Sequence, residues 1–248
     1  MDLAVLRDDM VEGLAHPAKG VLESEDLTVA MRTVPRHRFT PGEPEAAYQD
    51  HAIDHRGTTV LAPSTAALLL EALDPRPGDD VLIVGAGVGY TTAVVAEVVG
   101  AAHVSAIDLS RQLVLEARSN LAKAGYGDAF VDRRDGADGL PEYAPFDRIL
   151  VEAAAVDPPR ALQRQLADGG RLVLPHGVQD QQLVAFEGGD LAERLEPVRF
   201  KPLLVDGEQP GGLERNRMAR EDRERAERDF ERRRGWEQDW IDWDRQSL

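Results

Sequence analysis

Cysteine is missing altogether from the 248 residues, and lysine nearly so, with Lys19, Lys123 and Lys201 its only occurrences. The first absence excludes disulfides, thiolate zinc sites and a cysteine nucleophile. The second makes 26 of the 29 basic residues arginine, against 45 Asp plus Glu and a formal charge of −16. Dense carboxylates with scarce lysine are the composition expected of a salt-saturated cytoplasm, where acidic surfaces hold water; an ordinary acidic protein is the plainer alternative. The negative balance also argues against a footprint for nucleic-acid phosphates. Long apolar runs are absent too. The longest uncharged stretch, Val81 to Ala96, is shorter than a membrane span and holds three Gly and two Thr. Met1-Asp2-Leu3-Ala4 lacks a basic-then-apolar leader. A cytoplasmic protein without a membrane partner is expected.

What remains is enough for a core, since 42% of the residues are hydrophobic. Residues 1 to about 40 carry a helical apolar pattern, closed by Pro35. Residues 41 to 63 are loop-like, and a helix is predicted over Ser64–Leu73. From residue 79, strands alternate with helices. The predicted order is strand Val81–Val84, helix Thr91–Val99, strand Val104–Ile107, helix Arg111–Ala124 and strand Phe130–Val131. Strand Arg148–Val151, helix Arg160–Leu166 and strand Arg171–Leu174 follow. Ser110 and Gly125 are suited to cap the helix between them. This alternation predicts an α/β fold with a doubly wound, mostly parallel sheet. Gln182–Phe186 and Val198–Leu204 have no helix-length spacer and are predicted as an antiparallel edge pair. Three segments are expected: a helical, substrate-side segment 1–63, a ligand-binding domain 64–206 and a charged tail 207–248. Within the tail, residues 214–248 hold ten Arg against eleven acids, and all three tryptophans, Trp236, Trp240 and Trp243, at helical spacing. That stripe is expected to dock on the body or to pair copies of the chain; recognising a partner or gating the site is the alternative.

The chemistry concentrates after the first strand of the alternating region. Gly85-Ala86-Gly87-Val88-Gly89 leaves a strand and opens a helix, so backbone N–H groups lie open to a ligand. Asp108 ends the next strand, 19 residues past Gly89, where an acid accepts from both ribose hydroxyls of a nucleoside. The compact G-x-G-x-G spacing suits a cofactor without phosphates, such as S-adenosylmethionine, better than a dinucleotide. Asp135-Gly136 follows the third strand, where a carboxylate can accept from an adenine amino group; a plain Asp-Gly turn is the alternative. His51 and His55 are four apart in a loop without paired acids, so no metal site is expected.

Six segments between Val34 and Pro175, within a similarity that covers roughly residues 20 to 205, resemble those of the protein-L-isoaspartate O-methyltransferases. Val34-Pro35-Arg36-His37-Arg38-Phe39 resembles V-P-R-H-x-F, and Ala47-Tyr48-Gln49-Asp50 resembles A-Y-x-D. Val81–Tyr90 resembles V-L-E-I-G-T-G-S-G-Y, and Arg134-Asp135-Gly136 resembles G-D-G. Phe146–Ala155 resembles Y-D-x-I-I-V-T-A-A-A, and Gly169–Pro175 resembles G-G-R-L-V-I-P. The resemblance implies a Rossmann-like domain that transfers the methyl of S-adenosylmethionine to the side-chain carboxylate of isoaspartyl residues in damaged proteins. It implies a cofactor set of Gly85, Ala86, Gly87, Gly89, Asp108, Leu109, Asp135, Gly136 and Glu152. Three positions depart from the pattern. The family's G-Q-T-I-S-x-P is Gly57-Thr58-Thr59-Val60-Leu61-Ala62-Pro63 here, so Leu61 stands at the active-site Ser, and Thr59 is the catalytic candidate among the nearby hydroxyls. Ile83 replaces an acid of the first strand, and Glu152 replaces a Thr, adding a negative charge at the site mouth. A related methyltransferase for a small molecule or tRNA, or a cofactor-binding relative without catalysis, are the other readings these departures allow.

Overall fold

A computed structural model describes residues 2–204. The expected tail 207–248, with its tryptophan stripe, lies outside the described residues.

Asp2 caps the first helix, α1 (Leu3–Ala15), by accepting from the Ala4 N–H at 2.9 Å. Ser24 caps α2 (Glu25–Thr33), whose first turn carries Glu25 and Asp26 where the helix dipole favours acids. Residues 41–63 are not wholly irregular, as the sequence suggests. They contain a small antiparallel hairpin, β1 (Ile53–His55) and β2 (Thr58–Val60), joined through Arg56 and Gly57, both at positive φ. Three-residue strands give too few alternations to be read from sequence. Pro63 then opens α3 (Pro63–Leu73) at the position where its missing N–H costs nothing.

The alternating region follows as β3 (Val81–Val84), α4 (Tyr90–Val99), β4 (Val104–Asp108), α5 (Arg111–Ala124), β5 (Phe130–Arg133), β6 (Phe146–Val151), α6 (Arg160–Gln163), β7 (Leu166–His176), β8 (Gln182–Glu187) and β9 (Asp190–Pro197). Ser110 accepts from the Leu113 N–H at the start of α5, and Gly125 closes it at φ 99°. The seven strands lie in the order β5-β4-β3-β6-β7-β8-β9. The first five run parallel, and β8 and β9 are antiparallel. This is the expected fold class.

Three boundaries move, and in the simplest case β7 starts at Leu166 rather than at Arg171. The helix expected over Arg160–Leu166 stops at Gln163, because Gln165 is needed below it: its side chain accepts from the Leu140 N–H at 2.7 Å and donates to the Asp138 carbonyl at 2.8 Å. The outer strand is Asp190–Pro197, not Val198–Leu204. Nearly all of Asp190–Pro197 is exposed, so it shows no apolar period, whereas the positive-φ pair Gly188-Gly189 supplies the hairpin turn. Val198–Leu204 instead runs back irregularly. Its Phe200 N–H donates to the Gln181 side chain, and Pro202 bridges Ala154 beyond the end of β6.

The two sheet faces are covered unequally. One buries Val81, Ile83, Ala106 and Leu150 under side chains from α1 to α5, so the N-terminal helices share a core with the sheet. The other buries Leu82, Val84, Ile107 and Ile149 beneath Leu162 of α6 and the loop residues Leu140 and Leu203. No helix among the described residues is long and apolar enough to cross a membrane.

Candidate functional site

Parallel strands end together, and the loops leaving them enclose a crevice above the sheet. Here those loops are Gly85–Gly89 after β3, Leu109–Ser110 after β4, Arg134–Gly136 after β5 and Glu152 after β6. The glycine turn is sewn to its neighbour, because the N–H groups of Gly85 and Ala86 both donate to the Ile107 carbonyl, at 2.8 and 2.9 Å. Gly89 has φ 91°, and a Cβ there would meet the Leu121 Cγ at 3.3 Å and the Ala117 Cβ at 3.4 Å. Only glycine lets α4 start this close to α5.

Asp108 is the hinge of the arrangement. One carboxylate oxygen accepts from the Gly87 N–H at 3.0 Å, the other from the Ser110 N–H at 2.8 Å. Loss of water raises its pKa, and the two N–H groups pull it back down. Each oxygen keeps a free lone pair, the pattern needed to receive a pair of vicinal hydroxyls. Leu109 offers its carbonyl to the Arg133 guanidinium at 3.0 Å, which shapes this rim. Beside it, the Arg134 N–H donates to the Asp108 carbonyl at 3.3 Å, and Asp135 accepts from the Ala137 N–H at 2.9 Å. A Cβ on Gly136 would stand 2.6 Å from the Val84 Cγ1 and 3.0 Å from the Leu203 Cδ1, so this loop lies directly on the end of β3.

Glu152 closes the floor. Its N–H donates to the Val84 carbonyl at 2.8 Å, and its Cβ lies 3.4 Å from where a Gly85 Cβ would be. Its carboxylate accepts from the Thr91 hydroxyl on the first turn of α4. Loss of water drives its pKa up to about 8, with the nearby Asp108 charge adding to the rise and the Thr91 bond opposing it. At neutral pH the side chain is therefore mostly uncharged, and the negative charge expected at the mouth is absent in the free protein.

The β1–β2 hairpin lies over this crevice. Alternation along β2 sends Thr58 and buried Val60 to one face and Thr59 to the other. The Thr58 Oγ1 is 3.9 Å from the position of a Gly87 Cβ, whereas the Thr59 hydroxyl donates to Asp54 across the hairpin at 3.1 Å. Of the two threonines, Thr58 is the one brought to the glycine turn. Leu61 is partly buried against the core, and its carbonyl accepts from the buried Arg36 guanidinium. Arg36 also donates to the Ala47 carbonyl at 2.8 Å and sits 4.5 Å over the Tyr90 ring. The tip of the hairpin is held from two sides: His55 and Arg56 pair with Glu116 of α5 at 2.8 and 3.1 Å, and Lys201 donates to the Gly57 carbonyl at 3.0 Å.

The glycine turn, Asp108, Asp135, Gly136 and Glu152, all named from the sequence, lie together at the strand ends. Sequence reading passes over Thr58 in favour of Thr59 and does not single out Thr91. Arg56-Gly57 was the available signal for the first, as a turn between β-branched residues; the pairing of Thr91 with Glu152, 61 positions apart, leaves no local trace. No cluster of three or more His, Asp or Glu suited to a metal occurs among the described residues.

A glycine-rich turn, an acid at the next strand end and this strand order define a nucleoside-binding Rossmann-like domain. Among solved structures, a protein-L-isoaspartate O-methyltransferase aligns with TM-score 0.72 and 28% identity, over 86% of this chain and 69% of its own. A putative protein-L-isoaspartate O-methyltransferase from Plasmodium falciparum, in complex with S-adenosyl-L-homocysteine, has the same fold, with TM-score 0.70, 24% identity and coverage of 80% and 98%. The curated protein-L-isoaspartate O-methyltransferase of Aeropyrum pernix is 42% identical over 204 residues, covering 79% of this chain and 78% of the relative. That of Methanopyrus kandleri is 44% identical over 208 residues, covering 80% and 91%. The family model for Protein-L-isoaspartate(D-aspartate) O-methyltransferase matches residues 7–209. The chain belongs to the protein-L-isoaspartate O-methyltransferase family.

Proposed function

We propose that the protein transfers the methyl group of S-adenosylmethionine to the side-chain carboxylate of L-isoaspartyl residues in damaged proteins. Family membership over most of the chain carries the reading, and the crevice fits the cofactor. Asp108 offers two oriented oxygens to the ribose, and Gly136 lets the loop that carries Asp135 lie against Val84 and Leu203 at the end of β3. The cofactor supplies an activated methyl on a sulfonium. The chain's own residues then have three tasks: to hold the nucleoside at Asp108 and the glycine turn, to align the acceptor carboxylate, and to keep water out. No general base is required, since a carboxylate is already ionised. Glu152 is mostly neutral near pH 7 in the free protein. The hydroxyl at the glycine turn is that of Thr58, and we assign it, rather than Thr59, the contact with the acceptor.

Transfer of labelled methyl to an isoaspartyl peptide, with none to its aspartyl twin, is the expected result; no transfer to the isoaspartyl peptide at any salt concentration refutes the reading. Leu61, at the family's Ser position, favours one second reading, a related methyltransferase with a small-molecule or tRNA acceptor. Methylation of such an acceptor, with none of isoaspartate, identifies it. Scarce lysine and the charge of −16 support a cytoplasmic setting rich in salt; activity that falls steadily from low to molar KCl refutes that setting. The Trp236, Trp240 and Trp243 stripe is assigned to docking on the body or pairing of copies, and deletion of 214–248 should lower stability or oligomer state. Loss of activity alone refutes docking.

A further inference from the structure

Glu152 is used by nothing in the reaction as written. Its carboxyl lies where four elements meet: the end of β6, the Gly85 turn, the first turn of α4 and the end of β4. The groups facing it are the Thr91 hydroxyl from α4 and the Asp108 carboxylate from β4; the Gly85 turn offers backbone alone. Lys201, on the segment that runs past Ala154, directs its ammonium to the Gly57 carbonyl and towards Asp54 instead. Among the described residues, then, two carboxyl groups share the floor of the crevice and no cation is placed against Glu152. The register of the sheet fixes which way it faces. Ile83 pairs with Leu150, both belong to the core beneath α1–α5, and Glu152 is two residues beyond Leu150 on that same face. It thus faces the space above the glycine turn that α4 leads into.

We propose that Glu152 is the counter-ion for the positive charge of the methyl donor, and that it gives up a proton to the solvent when the donor binds. The inference rests on the reading of the crevice as the S-adenosylmethionine site. The free carboxyl holds its proton because it is partly shielded from water and stands near the Asp108 carboxylate. A cation entering beside it reverses that balance, so O–H ionisation and binding become one step: the carboxyl O–H breaks, the proton leaves to buffer, and the carboxylate pairs with the cation. With an apo pKa of about 8, about a tenth of the protein is ready at pH 7 and half at pH 8. Affinity for the donor should therefore rise about fivefold across that unit.

Calorimetry of the full chain with S-adenosylmethionine and S-adenosylhomocysteine, in two buffers of different ionisation heat from pH 6 to 9, reads this directly. At pH 7 the ligand's own ammonium is already mostly protonated, so the difference in proton release there between wild type and Glu152→Gln reports on the residue. The wild type should release close to one proton more than Glu152→Gln at pH 7. The variant should also lose the fivefold gain in affinity. Extra release with the methylated donor alone assigns the partner as the sulfonium, and release with both ligands assigns it as the methionyl ammonium. Equal proton release in wild type and variant overturns the proposal. Absence of binding by either ligand to the wild type overturns the cofactor reading itself, which is a different result. Gln matches the neutral native side chain in shape. Should its melting curve differ from wild type, Glu152→Thr, smaller and also neutral, serves as the second variant under the same criteria.

Discussion

Replacing Asp108 by Asn changes one atom and tests the core of the site. Each carboxylate oxygen of Asp108 accepts one N–H, from Gly87 at 3.0 Å and from Ser110 at 2.8 Å. Asparagine keeps one acceptor and turns an NH₂ towards the other N–H, two donors face to face. Hydrogen bonds to a charged partner contribute about 1.5–3 kcal/mol each, so one is lost and the remaining acceptor is weakened. In the free protein the loss is partly offset, since the desolvation that raises the Asp108 pKa vanishes with the charge. In the complex there is no offset, because the ribose hydroxyls lose a charged acceptor as well. At about 1.4 kcal/mol per tenfold, Kd for S-adenosylhomocysteine should rise about ten- to hundredfold, while the melting temperature moves little. Calorimetry at fixed salt measures the first and a thermal melt the second. A Kd within twofold of wild type, with the fold intact, refutes the assignment of Asp108 to the ribose.

Leu61→Ser should raise methyl transfer to isoaspartyl peptide while costing about 1 kcal/mol of stability from lost apolar packing; unchanged turnover shows that the missing hydroxyl is not what limits this chain. Arg36→Met orphans the Ala47 and Leu61 carbonyls, at about 2–4 kcal/mol, and the melting temperature should drop by roughly 5–15 °C. Gly136→Ala drives a methyl into Val84 and Leu203 and should destabilise by about 1–3 kcal/mol, with cofactor affinity falling alongside in a titration. For Glu152, the folded-state pKa of about 8 lies above the ordinary 4.5. The native state thus holds a proton that the unfolded chain has shed, and stability falls as pH climbs between those values. Melts of wild type and Glu152→Gln should diverge across that window, the variant gaining relative to wild type as pH rises.

The alternating region is readable because its signals are local. The Ser110 cap, the α5 stripe and Gly125 lie within one helix length, and that element runs over Arg111–Ala124 as its sequence indicates. The apolar block Val81–Val84 is equally plain, since a strand buried on both faces is apolar throughout. Signals fade where the environment is split. Strand β9 has water on both faces and no pattern to betray it, while Val198–Leu204 looks like a strand yet follows an irregular path. The same divide runs through the site. Glycine spacing and the strand-end acid reveal Gly87 and Asp108, but the state of Glu152 depends on Thr91 and Asp108, which only the sheet register brings near. That Thr58 rather than Thr59 meets the glycine turn depends on one residue of hairpin phase.

The hairpin over the crevice has a history written into its fastenings. A two-stranded ribbon alone is marginal in water, and this one is held by Glu116, 61 positions from His55, and by Lys201, 144 positions from Gly57. Contacts that distant form only after the intervening chain has collapsed. During synthesis, the segment bearing Thr58 emerges early but waits for almost the whole domain before its last anchor arrives. The roof of the crevice is thus among the first parts made and the last secured.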